Sequence, residues 1–267
     1  MRIARVIDDK GALTHAALKP DGTARKLNGD SFTTFAESGE PVEIRAWLAP
    51  IDPEAIICVG ANYRAHIEEC GDENVPDYPI LFMKNPASAN AHLRPIHLPR
   101  LCENEVDYEG ELAVVIGKAC RNVSRENVWD YVLGFTAAND VSARIWQLHK
   151  GGGQWCRGKG FDGFCPLGPA LVTTDEIQSP GNLRITTTLN GEIVQDGNTN
   201  LMIFDIPTLI SFISQDTTLL PGTVILSGTP AGVGWTREPK LLLQDGDTVC
   251  VDIENIGKLI NPVQKSR

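Results

Sequence analysis

Hydrophobic and polar positions alternate with period two through most of this chain, and stretches with helical spacing are short and few. RIARVID and ALTHAAL alternate within residues 1–50 and are divided by turn residues, DDKG between them and PDG and NGD after them. IICVGANY reads as a buried strand that leads into RAHIEE, a stretch able to form a helix. VDYEGELAVVIG, residues 106–117, alternates at first and then turns apolar on both faces, which predicts that its end lies inside a core. A short helix is predicted after Ser124, followed by the apolar strand YVLGFTAAND. LRITTTL and EIVQ flank an Asn190-Gly191 hairpin turn, IPTLISFIS is a short helix with Pro207 in its first turn, and TVILSG and TVCVDI are further strands. Strands therefore dominate, which predicts a mainly β, α+β fold of the roll or sandwich kind rather than a doubly wound sheet. The punctuation LAPIDPE divides a small N-terminal β-rich domain, 1–50, from a main domain, 51–267.

Composition narrows the function. The 267 residues are 42% hydrophobic, enough to fill a core, so disorder is excluded as the main reading. A net charge of −10 argues against nucleic acid or an anionic membrane as partner and favours a small molecule. Seven scattered cysteines with no CxxC pair suggest neither a disulfide framework nor a zinc ribbon, and a reducing compartment fits. MRIARVIDDKG has no apolar stretch of signal-peptide length and no run approaches the ~18 apolar residues of a membrane span, so the chain reads as cytoplasmic. TPAGVG follows a strand but lacks the Walker lysine, which speaks against a nucleotide site.

The acidic strand carries the candidate chemistry. Period two puts Asp107, Glu109 and Glu111 on one face, and the apolar continuation LAVVIG places Glu111 at the edge of a core. Carboxylates ~7 Å apart repel by ~2 kcal/mol at an effective dielectric near 20, so a partly buried pair needs protons or a cation. Mg2+ or Mn2+ takes such oxygens and leaves room for a chelating substrate. Asp140, ending the strand YVLGFTAAND, is the best third carboxylate, although alone it reads as a cap for a helix starting at Ser142. Glu109 and Glu111 then become candidate ligands, with Asp107 left beside them or in solvent.

GANYRAH, PILFMK, VDYEGELAVVIGK, GFTAANDVSAR, QW-RGKGFDGFCPLGP, NG-VQDGNT and PG-VILSGTPAGVG occur in an order and spacing that resemble the fumarylacetoacetate hydrolase family from about residue 55 onward. The chain is most similar to the shorter members that act on acylpyruvates, oxaloacetate and 2-hydroxyhepta-2,4-dienedioate-like compounds. The resemblance implies a β-rich fold around Mg2+ or Mn2+, a homodimer, and Glu109, Glu111 and Asp140 as the metal ligands. Longer members have a further aspartate ligand upstream, and ICVGANY offers none, so water is expected there. The resemblance further implies that His66 with Glu69 supplies a base in a mobile lid continued by ECGDENVPDYP, and that Lys159 holds the substrate carboxylate or assists enolate protonation. Arg144, Gln147 and Thr229 match substrate-binding residues, and Lys84 is matched as well. Ile145 stands where the family usually has an acidic residue, which puts a salt bridge to Arg144 in question.

A 2-oxo acid chelated through its carboxylate and keto oxygen is poised for enolate chemistry. The first expectation is a Mg2+/Mn2+-dependent hydrolase that cleaves a C–C bond in an acylpyruvate-like 2,4-dioxo acid, because His66 and Glu69 could activate water. The alternative is an oxaloacetate decarboxylase or tautomerase, or a 2-hydroxyhepta-2,4-diene-1,7-dioate isomerase, on the same ion.

Overall fold

The computed structural model describes residues 1–29, 34–177 and 179–266, so Asp30 of the NGD turn lies outside the described residues. Strands make up 41% and helices 14%, in mixed sheets, as the period-two patterning predicts. One large sheet has the strand order Ala36–Pro41, Ala24–Asn28, Leu13–Leu18, Arg2–Asp8, Cys165–Thr173, Val132–Asn139, Gly110–Ile116, Val224–Leu226, Ile56–Gly60 and Ile80–Lys84. Ile44–Leu48 and Ala89–Ala91 branch from it. A second sheet joins Glu192–Asn198, Arg184–Leu189, Thr248–Ile253, Gly257–Lys265 and Ile96–Leu98.

The strand Gly110–Ile116 is buried along its whole length because each of its faces meets a different apolar layer. Leu112, Val114 and Ile116 pack with Ile185, Val251 and Ile253 of the second sheet and with Leu209 and Ile213 of the helix Ile206–Ile213. Ala113 and Val115 pack on the other side with Ile56, Cys58, Phe82 and Leu167. Glu109 and Glu111 continue this latter row, so the pleat sends them away from the sheet-on-sheet core and toward a separate face. The helix Ile206–Ile213 follows its predicted grammar, with Asp205 Oδ1 accepting the Thr208 N–H at 2.9 Å and Pro207 in the first turn. Asn190 and Gly191, at φ 53 and 88, form the primed hairpin turn between Arg184–Leu189 and Glu192–Asn198.

The first strands are hydrogen-bonded onto the large sheet through Arg2↔Val172 and Ile3↔Leu171. Trp47 of the strand Ile44–Leu48 also meets the ring of His92 edge-on at 5.0 Å, while His92 Nδ1 accepts the Ile260 N–H at 3.1 Å. Burial pushes the His92 pKa down to about 4, so the folded protein binds fewer protons here than the unfolded chain between that value and 6.5. Stability from this ring is complete above pH 6.5 and lost as pH falls toward 4. Allowing for solvent screening of a partly exposed ring, the loss is about 1–2 kcal/mol. Urea denaturation at pH 7 and 4.5 should show a smaller difference in His92→Asn, which cannot ionise; an unchanged difference would remove His92 from the account.

Candidate active site

The acidic stretch does not run as one strand. Val106–Asp107 pairs with Ser142–Ala143, the ladder breaks at Tyr108 and Glu109, and Gly110–Ile116 then pairs with Val132–Asn139. At the break, the Glu109 N–H donates to Asn139 Oδ1 at 3.0 Å and the Asp140 N–H donates to the Glu109 carbonyl at 2.8 Å. This crossing brings Asp140 beside the two glutamates. Gly110 is required here, because a Cβ would lie 2.2 Å from Thr187 Oγ1 of the second sheet. Ser142 opens no helix: it is extended against Asp107, and its hydroxyl donates to the Asp140 carbonyl at 2.9 Å.

One oxygen from each of Glu109, Glu111 and Asp140 lies within 4.8 Å of the others, and all three residues are buried. Three buried cations surround them. Lys84 donates to Asp140 Oδ1 and, at 3.0 Å, to the Val141 carbonyl. Lys159 donates to Glu109 Oε2 at 2.9 Å, Asp140 Oδ2 at 2.7 Å and Ser142 Oγ at 2.8 Å. Arg144 spans Asp107 Oδ2 at 2.9 Å, Glu109 Oε1 at 2.5 Å and Gln147 Oε1 at 3.0 Å. Asp107 is neither solvated nor peripheral: it is fully buried and also accepts the backbone N–H groups of Gly234 and Trp235, each at 2.9 Å. These contacts orient Arg144 without help from position 145, so Ile145 leaves no gap in that ion pair.

Within this cluster four buried carboxylates, Asp107, Glu109, Glu111 and Asp140, face three buried cations, and Glu111 is the one of the four with no ion pair. Its Oε2 accepts only the Gly228 N–H, at 2.7 Å. Burial, and then the charges of Asp140 and Glu109, push the Glu111 carboxyl well above the usual carboxylate range. Burial also acts on Glu109, but Lys159 and Arg144 outweigh it and hold its carboxyl below the usual range. An all-oxygen donor set with one carboxylate lacking a counter-charge fits a hard divalent cation.

His66 and Glu69 sit on the short helix Arg64–Glu69, one turn apart. His66 Nδ1 lies 2.7 Å from Glu69 Oε1, and the other carboxylate oxygen accepts the Gly232 N–H at 2.7 Å and the Thr236 hydroxyl at 3.2 Å. Burial disfavours charge on this ring, but Cys70 at 4.0 Å, the Glu69 carboxylate and the field of Glu109 prevail and raise its pKa to about 10. Ala61, at φ 53, turns the chain from the strand Ile56–Gly60 into this helix. Asn62 ties the turn down: its Nδ2 donates to the Ser227 carbonyl at 2.7 Å and the Phe204 carbonyl at 3.0 Å, and its Oδ1 accepts the Phe204 N–H at 2.8 Å.

A cavity of about 320 Å³ joins these groups, lined by His66, Glu109, Glu111, Arg144, Gln147, Lys159 and Thr229. The structure therefore gathers the sequence-predicted site residues around one cavity except Glu69, which stands behind His66, and Asp140, which is buried against Lys84 and Lys159. Cys70, Asp72, Asn74 and Pro76 of ECGDENVPDYP line its mouth in irregular backbone. Sequence reasoning underweighted Lys84 and missed Gln195, which accepts the Gly110 N–H at 2.9 Å and donates to Thr229 Oγ1 at 2.8 Å. Gln195 lies in the VQDGNT motif, the one signal that could have singled it out.

Residues 55–264 match the family model described as fumarylacetoacetate (FAA) hydrolase C-terminal. The chain belongs to the fumarylacetoacetate hydrolase family. Among members of the family, it is 49% identical over 219 residues to the mitochondrial oxaloacetate tautomerase of Xenopus laevis, covering 81% of this chain and 67% of that protein. The Homo sapiens mitochondrial oxaloacetate tautomerase is 48% identical, with 81% of this chain and 69% of that protein covered. A solved family structure, 2-hydroxyhepta-2,4-diene-1,7-dioate isomerase from Mycobacterium marinum, superposes with a TM-score of 0.84 at 39% identity, over 100% of this chain and 99% of that one. This member of the family is therefore an enzyme of small-molecule chemistry. Both vertebrate relatives are named as mitochondrial, whereas the sequence pattern pointed to the cytoplasm. Among the described residues, no helix is long and apolar enough to cross a membrane.

Proposed function

We propose that this enzyme moves a proton between the C2 oxygen and C3 of a 2-oxo acid, as an enol–keto tautomerase with oxaloacetate as a substrate and Mg2+ or Mn2+ as cofactor. The observation that carries this reading is the 2.7 Å pairing of His66 Nδ1 with the Glu69 carboxylate at the cavity wall, a contact that favours the charged imidazole. Water-driven C–C cleavage needs a neutral imidazole to take a proton, whereas ketonisation needs a charged one to give a proton. That preference, together with the named activities of the tautomerase and isomerase relatives, favours proton transfer over the hydrolysis expected from the sequence.

Glu109, Glu111 and Asp140 would hold the divalent cation, which when bound supplies Lewis-acid stabilisation of negative charge on the substrate oxygens. Lys159 and Arg144 fix the orientation of Glu109, and Lys84 with Lys159 fixes that of Asp140. With Nδ1–H donated to Glu69, His66 gives its proton to C3 from Nε2 and is recharged by the proton that leaves the C2 oxygen. Glu69, pinned by Gly232 and Thr236, keeps the ring in that orientation.

His66→Ala should lower the ketonisation rate of enol-oxaloacetate by about 10²–10⁴-fold. The wild-type rate should hold through neutral pH and fall as pH rises toward the His66 value of about 10. A rate that climbs with pH, or acetylpyruvate cleavage outrunning ketonisation in the same preparation, would restore the hydrolase.

A further inference from the structure

The walls of the cavity differ in character from its floor. Lys159, bonded to Glu109 and Asp140, places its Nζ 5.0 Å over the ring of Phe82, and Phe82 meets Trp155 edge-on at 5.4 Å. An aromatic surface therefore begins one residue away from the carboxylates. Trp155 can lie there because Gly60 has no side chain: a Cβ at position 60 would come within 2.2 Å of the indole. Ile67, Ile80 and Leu148 extend this apolar surface around the cavity.

Charge along the lining is already committed. Arg144 is bound to Asp107 and Glu109, Lys159 to Glu109 and Asp140, and His66 to Glu69. The remaining ionisable group at the mouth besides Cys70 is Asp72, an acid. Lys240 is near but lies 4.5 Å over the ring of Trp235 and is not part of the lining. A second carboxylate at the far end of a substrate would find no uncommitted cation among the described lining residues. An apolar group there would exchange water for aromatic and aliphatic contact. The cavity, about 320 Å³, also exceeds what a four-carbon diacid fills.

We propose that this site ketonises the enols of 2-oxo acids bearing an aromatic or bulky apolar group at C3, in addition to oxaloacetate, with Phe82, Trp155 and Ile80 as the specificity wall. This rests on the tautomerase reading and names its substrate class. The step is balanced without a co-reactant: the O–H bond at C2 breaks, a C–H bond forms at C3, and His66 relays the proton.

The test follows the decay of enol absorbance for phenylpyruvate and for oxaloacetate, with Mg2+ present, against buffer with Mg2+ alone. The enzyme should accelerate phenylpyruvate ketonisation at least about tenfold over buffer, with a KM about tenfold below that for oxaloacetate, as burial of one aromatic ring allows. Trp155→Ala should raise the phenylpyruvate KM about tenfold and the oxaloacetate KM less than about threefold. Ile80→Lys, at a position 39% exposed where a lysine can be accommodated, should also shift the kcat/KM ratio toward oxaloacetate. Oxaloacetate turnover with no phenylpyruvate turnover above buffer would overturn the proposal and leave the tautomerase reading standing. Turnover of neither would overturn both. Equal effects of both variants on the two substrates would show that the wall does not select.

Discussion

Glu111→Gln is expected to abolish Mg2+ binding in titration calorimetry and to cut ketonisation by about a thousandfold or more, while the ion-free protein becomes more stable. The amide can still accept the Gly228 N–H that Glu111 Oε2 accepts at 2.7 Å, so the local backbone keeps its partner. What the substitution removes is a buried carboxylate that no cation neutralises. Its folded pKa is raised above the ordinary value of 4.5, so the ion-free wild type binds more protons here when folded than when unfolded. That contribution to stability is full below pH 4.5 and lost as pH rises toward the folded value, a slope that the glutamine variant should lack. Near neutral pH the gain should be about 1–3 kcal/mol. The same proton must leave when the ion enters, so the wild-type binding enthalpy should vary with the ionisation heat of the buffer. A binding isotherm unchanged by Glu111→Gln would sink the assignment of the ion site.

Asp107→Ala should be the most damaging change to stability among the buried acids, at about 3–5 kcal/mol. Asp107 binds no part of the proposed ion site directly, yet it is the fully buried acceptor for the Arg144 guanidinium and for two backbone N–H groups that hold the loop carrying Trp235. Without it, Arg144 keeps only Glu109 and Gln147, and the Gly234 and Trp235 amides lose their acceptor in a closed interior. For a chain of this size the melting temperature should fall by about 10 °C. A drop of less than about 1 kcal/mol in urea denaturation would show that the cluster reorganises around the loss.

The three-carboxylate cluster was legible in the sequence because it is a local contradiction: acids alternate along a strand whose continuation is apolar on both faces. Period two placed Glu109 and Glu111 together, and Asp140 ended the neighbouring apolar strand that pairs with theirs. Asp107 misled for the same reason. Its cation, Arg144, is 37 residues away and arrives only through the pairing of Val106–Asp107 with Ser142–Ala143, a contact that no short-range pattern encodes. Lys84 is hidden likewise, since it reaches Asp140 from the far edge of the large sheet. The charge state of His66 lay beyond the sequence altogether. The spacing of His66 and Glu69 suggests a pair, but whether the pair takes or gives a proton depends on the field of Glu109 and the pinning of Glu69 by Gly232 and Thr236.

His66 and the three-carboxylate cradle belong to parts of the chain that are held in very different ways. The cradle sits on the fully buried strand of Glu111 and at the ladder break beside it, whereas the short helix carrying His66 is held at its two ends, by the side chain of Asn62 on Ser227 and Phe204 and by Glu69 on Gly232 and Thr236. The stretch of about twenty residues from the turn at Ala61 to the strand Ile80–Lys84 therefore carries His66 and Glu69 but none of the three clustered carboxylates. Transplanting it between relatives should change which proton transfer the recipient performs while leaving its three carboxylates in place.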